Sequence, residues 1–183
     1  MDYRILNESI PYTGRELCSG WVAGRTGLSG DAAVAFVGRC DVAAEDLVDV
    51  DDAKAGAVIR SEQMAHIIVE HPSCPLQTAI LRQRLLVCIL CEILGGKGHP
   101  LRREGDDVYV EDRKLTVSIA APSSSGALIH LGINVRPEGA PVPAIGLEEM
   151  GVMALPLLRD LLDRYKKEVA SCEYAETKVR YVP

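Results

Sequence analysis

The chain has 183 residues, of which 48% are hydrophobic, and this is enough to build the compact core of a single domain. Its net charge of −6 argues against a general nucleic-acid binder, and its single Phe and single Trp leave no aromatic platform on which bases would stack. No apolar run reaches the roughly 18 residues that a membrane span needs, and the N-terminus lacks a signal-peptide pattern. We therefore expect a cytoplasmic protein without nucleic-acid or membrane partners.

The first third of the chain is predicted to contain two strands, one helix and an acidic loop. Residues 2–6 and the apolar run 32–37 have the composition of strands, and the second strand is predicted to be buried. Thr13 and Glu16 have the spacing of a capping box, which predicts a helix from there to about residue 24. The acidic segment 41–56 is interpreted as a solvated loop broken by a short strand, with Mg²⁺ binding by its aspartates as the alternative.

The rest of the chain is predicted to contain a strand, a long helix, further strands and a second long helix. The segment 64–71 is rich in β-branched residues and ends before a proline, as a strand does. Pro75 suits the first turn of a helix that runs to about Leu94, where a glycine-rich segment stops it. The remaining elements are strands near 101–103 and 107–111, a hairpin of 114–121 and 127–135, and a helix over about 147–168. We therefore predict one α+β domain over 1–183, with a mainly antiparallel sheet packed with helices.

No residues in the sequence have the spacing of a metal site. Cys88 and Cys91 form a CxxC pair, but they fall on the predicted long helix, and no second pair exists to complete a zinc site. His66 and Glu70 share a strand face but lie about 13 Å apart, at ~3.3 Å per residue, which is too far to bind one metal ion. We therefore predict free structural thiols, with redox or metal use of the cysteines as the alternative, and no metal site. His66 remains open to two interpretations, a pocket-lining residue or a structural one.

The hairpin over 114–135 is predicted to carry a polar face. Its apolar residues are odd-numbered on both strands, so a register that buries both sets pairs odd positions with odd and even with even. A turn centred near Ser124 then places six even-numbered residues on the other face, with Gly132 allowing a ligand to approach the backbone. These residues are Lys114, Thr116, Ser118, His130, Gly132 and Asn134. The alternative is that this face is the solvent-exposed side of an ordinary hairpin.

Motifs in the same region resemble a known enzyme family. An acidic pair and an aromatic at Asp106, Asp107 and Tyr109 are followed by Asp112-Arg-Lys-Leu115 and then by Gly132-Ile-Asn-Val135. In this order they are similar to the "DRKL" and "GIN" motifs of biotin protein ligases, which share a fold with lipoate ligases, octanoyl transferases and class II aminoacyl-tRNA synthetases. The whole chain also resembles the uncharacterised DUF366 family of this ligase-like fold.

The resemblance implies a small-carboxylate ligase or acyltransferase that binds an anionic small molecule. In the ligases an acyl-adenylate forms, so ATP with Mg²⁺ is an implied cofactor, and a homodimer is an open possibility because relatives often pair through the sheet. Lys114 would stabilise negative charge in the transition state, and Asp107 would position the nucleotide or the incoming amine. Arg39, at a predicted strand end beside the family's nucleotide position, is the candidate to bind phosphate. Thr116, Ser118, His130, Gly132, Asn134 and His66 complete the candidate binding set.

One departure from the ligase pattern supports a second hypothesis. The ligases carry a loop rich in glycine and arginine that closes over the adenylate, whereas the corresponding segment here is acidic over 45–52. Aspartates repel phosphate unless a divalent metal intervenes. The alternative function is therefore a non-catalytic ligand-binding or regulatory domain that kept the fold and lost the adenylate loop.

Overall fold

The computed structural model describes all 183 residues, and a five-stranded sheet forms its centre. In chain order the elements are β1 (Asp2–Ser9), α1 (Trp21–Thr26), β2 (Ala32–Val42), α2 (Val50–Lys54), β3 (Ile59–Pro72), α3 (Leu76–Gly95), β4 (Arg102–Glu104), β5 (Asp107–Val110), β6 (Arg113–Lys114), β7 (Thr116–Pro122), β8 (Gly126–Arg136) and α4 (Ala154–Thr177). The central strands run in the order β1-β2-β3-β8-β7, and only the β1–β2 pair is parallel. The predicted α+β class with a mainly antiparallel sheet is confirmed.

The two faces of the central sheet are covered differently. Helices α3 and α4 pack on one face, where the larger apolar core includes Ile67, Leu131 and Leu161. The other face carries a smaller core that includes Phe36 and Met64, packed under the segments that follow β1 and β2. None of the helices is both long enough and apolar enough to cross a membrane. The less covered face therefore has room for a cavity between the sheet and its loops.

A second sheet of three short strands, β4-β5-β6, packs beside β7. The backbone N–H of Leu115 donates to the carbonyl of Val108 (2.8 Å), and the N–H of Val108 donates to Oγ1 of Thr116 (2.9 Å). These bonds hold β5 against the end of β7. They bring the β5 residue Asp107 and the β6 residue Lys114 to the end of the central sheet.

The helix predicted from Thr13 is wrong, although the local hydrogen bonds of a capping box form. The N–H of Thr13 donates to the carboxylate of Glu16 at 2.7 Å, and the Thr13 hydroxyl contacts the same carboxylate. Gly14 follows with a φ of +92°, outside the helical region, so the chain turns instead of coiling. The only helix in this stretch is the six-residue α1, which begins at Trp21.

The acidic segment forms short helical turns in place of the predicted short strand. A 3₁₀ turn covers Ala44–Asp46, and α2 follows it. Asp49 is the N-cap of α2, because its carboxylate accepts hydrogen bonds from the backbone N–H groups of Asp51 (2.9 Å) and Asp52 (3.0 Å). The predicted strand is wrong here because this Asp-x-Asp-Asp pattern caps a helix.

The predicted bounds of the long helix α3 are confirmed, but the last helix, α4, begins and ends later than predicted. Leu147 donates its backbone N–H to the carbonyl of Asn134 at 2.8 Å, so this stretch lies against β8. A Cβ on Gly146 would lie 2.2 Å from the carbonyl oxygen of Val135, which shows how closely the two segments approach. Residues 147–151 therefore form turns, and α4 begins only at Ala154.

The predicted register of the hairpin is wrong by one residue. Ser118 pairs with Leu131 and Ile119 pairs with His130, so odd positions of β7 face even positions of β8. The cause is the turn: Ser123 and Gly126 hydrogen-bond to each other around a two-residue loop, which centres the hairpin between two residues and not on Ser124. A shift of one residue sends alternate side chains to opposite faces of a sheet.

The corrected register divides the predicted polar face between the two sides of the sheet. Thr116 and Ser118 lie on the helix side with Ile133 and Leu131, whereas His130 and Asn134 lie on the opposite side. The helix side tolerates the two hydroxyls because both are hydrogen-bonded. Thr116 accepts from Val108, and Ser118 donates to the carbonyl of His130 at 2.9 Å.

Candidate functional site

A cavity of about 470 Å³ opens on the face of the sheet opposite α3 and α4. Its floor comes from β3, β7 and β8, and its walls come from the acidic segment, the start of β5 and the loop that precedes α4. More than half of its lining residues are hydrophobic. This combination of an apolar lining with a few charged groups is typical of a small-molecule site. Polar lining residues include Tyr12, Asp106, Asp107, Lys114, Ser118, His130 and Asn134.

The floor of the cavity contains a stack of aromatic rings built on two histidines. The ring of Tyr12 lies parallel to that of His130 at 4.0 Å, and His66 stacks against Tyr12 (4.9 Å) and Phe36 (5.0 Å). Nδ1 of His66 lies 3.1 Å from Nε2 of His130, so one of these nitrogens donates and the other accepts. His130 lines the cavity, and His66 lies beneath it.

Both imidazoles are held in the neutral form. Burial lowers the pKa of His66 to about 3, and the backbone of Gly38 acts in the opposite direction. Burial also lowers the pKa of His130 well below its ordinary value, and the neighbouring His66 lowers it further. The pair therefore supplies hydrogen-bonding groups at neutral pH but no positive charge.

Gly132 allows the side chains of the cavity floor to pack closely, and it does not itself line the cavity. A Cβ at this position would lie 2.3 Å from Sδ of Met64 and 3.3 Å from Cε1 of His130. The residue was predicted to let a ligand approach the backbone, but the space beside it is already filled by the protein's own side chains. A glycine here keeps His130 and Met64 in place.

Lys114 and Asp107 form an ion pair in the wall of the cavity. Nζ of Lys114 lies 2.8 Å from Oδ2 of Asp107, with both side chains about one-quarter exposed, and the hydroxyl of Tyr109 donates to the same oxygen at 3.3 Å. Nδ2 of Asn134 donates to the backbone carbonyl of Lys114 at 3.2 Å. The structure thus brings Lys114, Asp107 and Asn134 together, as the motifs indicate.

Asp106 is a second carboxylate in this wall, and α3 holds it. Its two oxygens accept hydrogen bonds from Arg84 (2.8 Å) and Gln83 (2.7 Å), and Gln83 also donates to the hydroxyl of Ser118 (2.9 Å). Burial raises the pKa of the Asp106 carboxyl, against the opposing effect of Arg84. Sequence reasoning missed Gln83, although a polar residue on the buried face of an apolar helix is a usable signal.

The mouth of the cavity is acidic. Asp46, Asp49 and Asp52 line it together with one arginine, Arg60. Asp46 pairs with Arg15 at 3.2 Å, whereas no basic side chain lies within 4.0 Å of Asp49 or Asp52. No group of three or more His, Cys, Asp or Glu side chains is arranged to hold a metal ion. The acidic mouth thus has neither a preformed metal site nor enough arginines to neutralise it.

Comparison with protein families assigns the chain to a family. A family model described as a domain of unknown function, DUF366, matches residues 1–180. The chain belongs to the DUF366 family. An uncharacterized protein of Methanocaldococcus jannaschii is 37% identical over 180 residues, which cover 94% of this chain and 81% of the relative. A protein of unknown function from Pyrococcus horikoshi has a solved structure that matches this DUF366 chain with a TM-score of 0.93 and 35% identity, covering 100% of this chain and 99% of that one.

More distant structures share the fold of this DUF366 protein. A lipoate-protein ligase A bound with ATP matches with a TM-score of 0.56 and 17% identity, over 93% of this chain and 86% of the ligase. A biotin protein ligase from Aquifex aeolicus, in complex with biotin and ATP, matches with a TM-score of 0.58 and 17% identity, over 90% of this chain and 69% of the ligase. The predicted DUF366 membership and the ligase-like fold are both confirmed.

Two of the candidate residues in this DUF366 chain lie away from the cavity. The side chain of Arg39 is 65% exposed and pairs with Asp41 at 3.6 Å. Its neighbour Cys40 is buried in the smaller core, whereas Arg39 lies at an irregularity in the β2–β3 pairing and outside the cavity lining. Thr116 is fully buried on the helix side, where its hydroxyl accepts a hydrogen bond from β5. Neither residue lines the cavity.

Two further residues of this DUF366 site differ from the predictions: one is only partly available to a ligand, and the other was not predicted. Ser118 reaches the edge of the cavity, but its hydroxyl is engaged by Gln83 and by the carbonyl of His130. Tyr12 covers the histidine pair and was not predicted, because a single Tyr between Pro11 and Thr13 carries no pattern that distinguishes it from a loop residue.

Proposed function

We propose that this protein binds a small carboxylate or acyl compound in the cavity and transfers the acyl group to an acceptor. The observation that carries the proposal is the position of Lys114, a partly buried cation in the wall of a largely apolar cavity. An ammonium group in such a wall stabilises carboxylate oxygens and the oxyanion that develops during acyl transfer. The ligase-like fold supports the same class of reaction.

The surroundings of Lys114 suit this role. Its ammonium has three N–H donors, and Asp107 uses one of them, so donors remain for a ligand oxygen. Asn134 holds the backbone of Lys114, and the apolar lining accommodates the acyl chain. His130 is neutral and sits at the floor, where it can position a polar atom of the ligand, but its low pKa makes it a weak base.

ATP is the cofactor that the fold family implies, and the residues of this cavity do not fit an unshielded triphosphate. The two cations in the lining are already paired, Lys114 with Asp107 (2.8 Å) and Arg60 with Asp41 (2.9 Å). Asp49 and Asp52 stand at the mouth without a basic partner. The proposed donor is therefore an acyl compound that is already activated, such as a thioester. An acceptor amine attacks its carbonyl carbon, the C–N bond forms, and the thiol leaves with the proton of the amine.

Binding is tested by calorimetric titration of the full-length protein with unbranched carboxylates of four to twelve carbons. We expect saturable binding that weakens about threefold to tenfold in Lys114→Gln, because one partly exposed ion pair is lost. Lys97→Gln removes the same charge from an exposed loop and serves as the matched control. Absence of binding across the series, or equal affinity in the Lys114 variant, contradicts the proposal.

Transfer is tested by incubating the protein with short-chain acyl thioesters and hydroxylamine, which traps a transferred acyl group as a hydroxamate. We expect hydroxamate above the uncatalysed rate and a lower rate in Lys114→Gln. An acyltransfer that proceeds at the same rate in both proteins argues against a role for Lys114 in the reaction.

A second candidate, a binding domain without turnover, is favoured by one observation. The cavity lining contains no cysteine, and its one serine, Ser118, has its hydroxyl engaged by Gln83 and by a backbone carbonyl. The lining therefore offers neither a thiol nor a free serine hydroxyl to carry a covalent acyl intermediate. Saturable carboxylate binding without hydroxamate formation supports this second candidate.

A further inference from the structure

We infer that the ligand of this cavity carries a protonated amine, which the acidic mouth receives, and that a free nucleoside triphosphate is not its ligand. The inference concerns the same cavity and rests on the proposed function, whose ligand class it narrows to an amine-bearing acyl compound or carboxylate. The basis is that the cations in the lining are already paired, whereas two of its carboxylates are not.

No cation in the lining is unpaired. Lys114 holds Asp107 at 2.8 Å, and Arg60 holds Asp41 at 2.9 Å. The two basic residues that stand just behind the lining, Arg15 and Arg84, are used by Asp46 and Asp106 at 3.2 Å and 2.8 Å. A phosphate group entering the cavity would therefore meet only cations whose charge a carboxylate already balances.

Two carboxylates in the lining have no basic partner. Asp49 accepts two backbone N–H groups as the N-cap of α2, and Asp52 lies one turn further along that helix. Both face the cavity at its mouth, with Asp46 beside them. A cluster of one sign at a cleft mouth raises the local concentration of the opposite charge. The mouth thus attracts an ammonium group and repels a phosphate.

The floor of the cavity also has a hydrogen-bonding group free for a ligand. His130 is only 4% exposed and lines the cavity, yet its side chain makes a single hydrogen bond, to His66. Its other ring nitrogen has no protein partner. That nitrogen is therefore free to form a hydrogen bond with a polar atom of a ligand in the cavity. Because the imidazole is neutral, it adds no positive charge that would favour phosphate.

A divalent cation does not remove the conflict with a triphosphate. Mg²⁺ is held by oxygen ligands in near-octahedral geometry, usually with one or two protein carboxylates and the substrate's phosphates. No group of three or more acidic, histidine or cysteine side chains is arranged for a metal ion. The carboxylates at the mouth are therefore suited to bind a monovalent organic cation.

The experiment uses three ligands that differ only in their charged ends. Hexanoate carries the carboxylate, hexylamine carries the amine, and aminohexanoate carries both, with the four- and eight-carbon homologues included for length. Each is titrated into the full-length, isotopically labelled protein and followed by two-dimensional NMR, which detects weak binding. ATP without Mg²⁺ and ATP with Mg²⁺ are titrated under the same conditions.

We expect aminohexanoate to bind about twofold to fivefold more tightly than hexanoate, because two exposed carboxylates attract its amine. That advantage should disappear in the double variant Asp49→Asn and Asp52→Asn, and it should shrink as salt is raised. Asparagine retains the N-cap of α2. Asp51→Asn, on the same helix but outside the lining, is the matched control and should keep the advantage.

The outcomes separate this inference from the proposed function. Equal affinity for hexanoate and aminohexanoate, or binding of ATP that is as tight as that of the amine, overturns the inference. If hexanoate still binds and loses affinity in Lys114→Gln, the proposed carboxylate site stands without the amine. If the amines bind through the acidic mouth and Lys114→Gln changes no affinity, the inference stands and the proposed role of Lys114 fails.

Discussion

Nζ of Lys114 and Oδ2 of Asp107 lie 2.8 Å apart, so the one lysine in the cavity wall is held by a carboxylate before any ligand arrives. Asp107 also accepts the hydroxyl of Tyr109, which fixes the carboxylate in place. Both charged groups are about one-quarter exposed, and an ion pair at this depth contributes on the order of 1 kcal/mol or less to stability. A ligand carboxylate therefore competes with Asp107 at a modest cost.

Asp107→Asn is expected to strengthen carboxylate binding about twofold to fivefold, because the amide competes less well for the ammonium of Lys114. The same variant should change the free energy of unfolding by less than about 1 kcal/mol. Titration calorimetry and urea unfolding measure the two effects. Glu148→Gln, which removes one negative charge outside the cavity lining, controls for net charge. An affinity that stays the same in Asp107→Asn would show that Asp107 does not compete with the ligand.

The stability of the protein is expected to fall as the pH decreases from about 6.5 towards 5. Burial lowers the pKa of His66 to about 3 and lowers the pKa values of His130 and His71, so the unfolded chain binds protons that the folded chain does not. Stability is then complete above pH 6.5 and decreases by up to about 1.4 kcal/mol per pH unit for each such histidine. The window above pH 5 lies clear of most carboxylate titrations.

Urea unfolding at half-unit steps between pH 5 and 8 measures this slope. NMR of the imidazole C–H groups gives an independent readout, since the His66 and His130 signals should not shift over that range. Titration of either signal near pH 6.5 would contradict the neutral pair.

The sequence predicts most elements of this fold but little of the packing of the site. Strand β3 and helix α3 are found from β-branched residues and from Pro75, because these signals are local. Lys114 lies beside Asp107 and Asn134, two of the residues that the motif resemblance groups with it. The hairpin register fails because it depends on whether the turn contains two or three residues, and a run of serines does not decide this.

The contacts that complete the site are long-range. The ring of Tyr12, which follows β1, stacks on the imidazole of His130 in β8, 118 residues later in the sequence. No short pattern records such a contact. Arg39 is the opposite case, a residue that the motif resemblance selects and the structure places elsewhere. Its side chain is exposed and lies outside the cavity lining.

Gly132→Ala is expected to destabilise the protein by about 1–3 kcal/mol, because its Cβ would lie 2.3 Å from Sδ of Met64 in a packed region. Thermal or urea unfolding measures the loss. Gly24→Ala is the matched control: nothing lies within 4 Å of its Cβ position, and alanine favours the helix α1. If the clash is the cause, the loss in the double variant Gly132→Ala with Met64→Ala should be smaller than the sum of the two single losses, and an additive loss would exclude that cause.

Gln83→Met is expected to alter the cavity from the far side of the sheet. Gln83 is 3% exposed and donates to both Asp106 (2.7 Å) and Ser118 (2.9 Å), so an apolar side chain of similar size leaves both acceptors with one partner fewer. We expect a loss of about 1–3 kcal/mol in the free energy of unfolding. The pKa of Asp106, which the Gln83 hydrogen bond holds down, should rise further. NMR titration of the Asp106 carboxyl carbon, with urea unfolding, measures both effects. Gln77→Met, on the exposed side of the same helix, should change neither quantity, and a similar response in the two variants would attribute the effect to helix α3 and not to the contacts of Gln83.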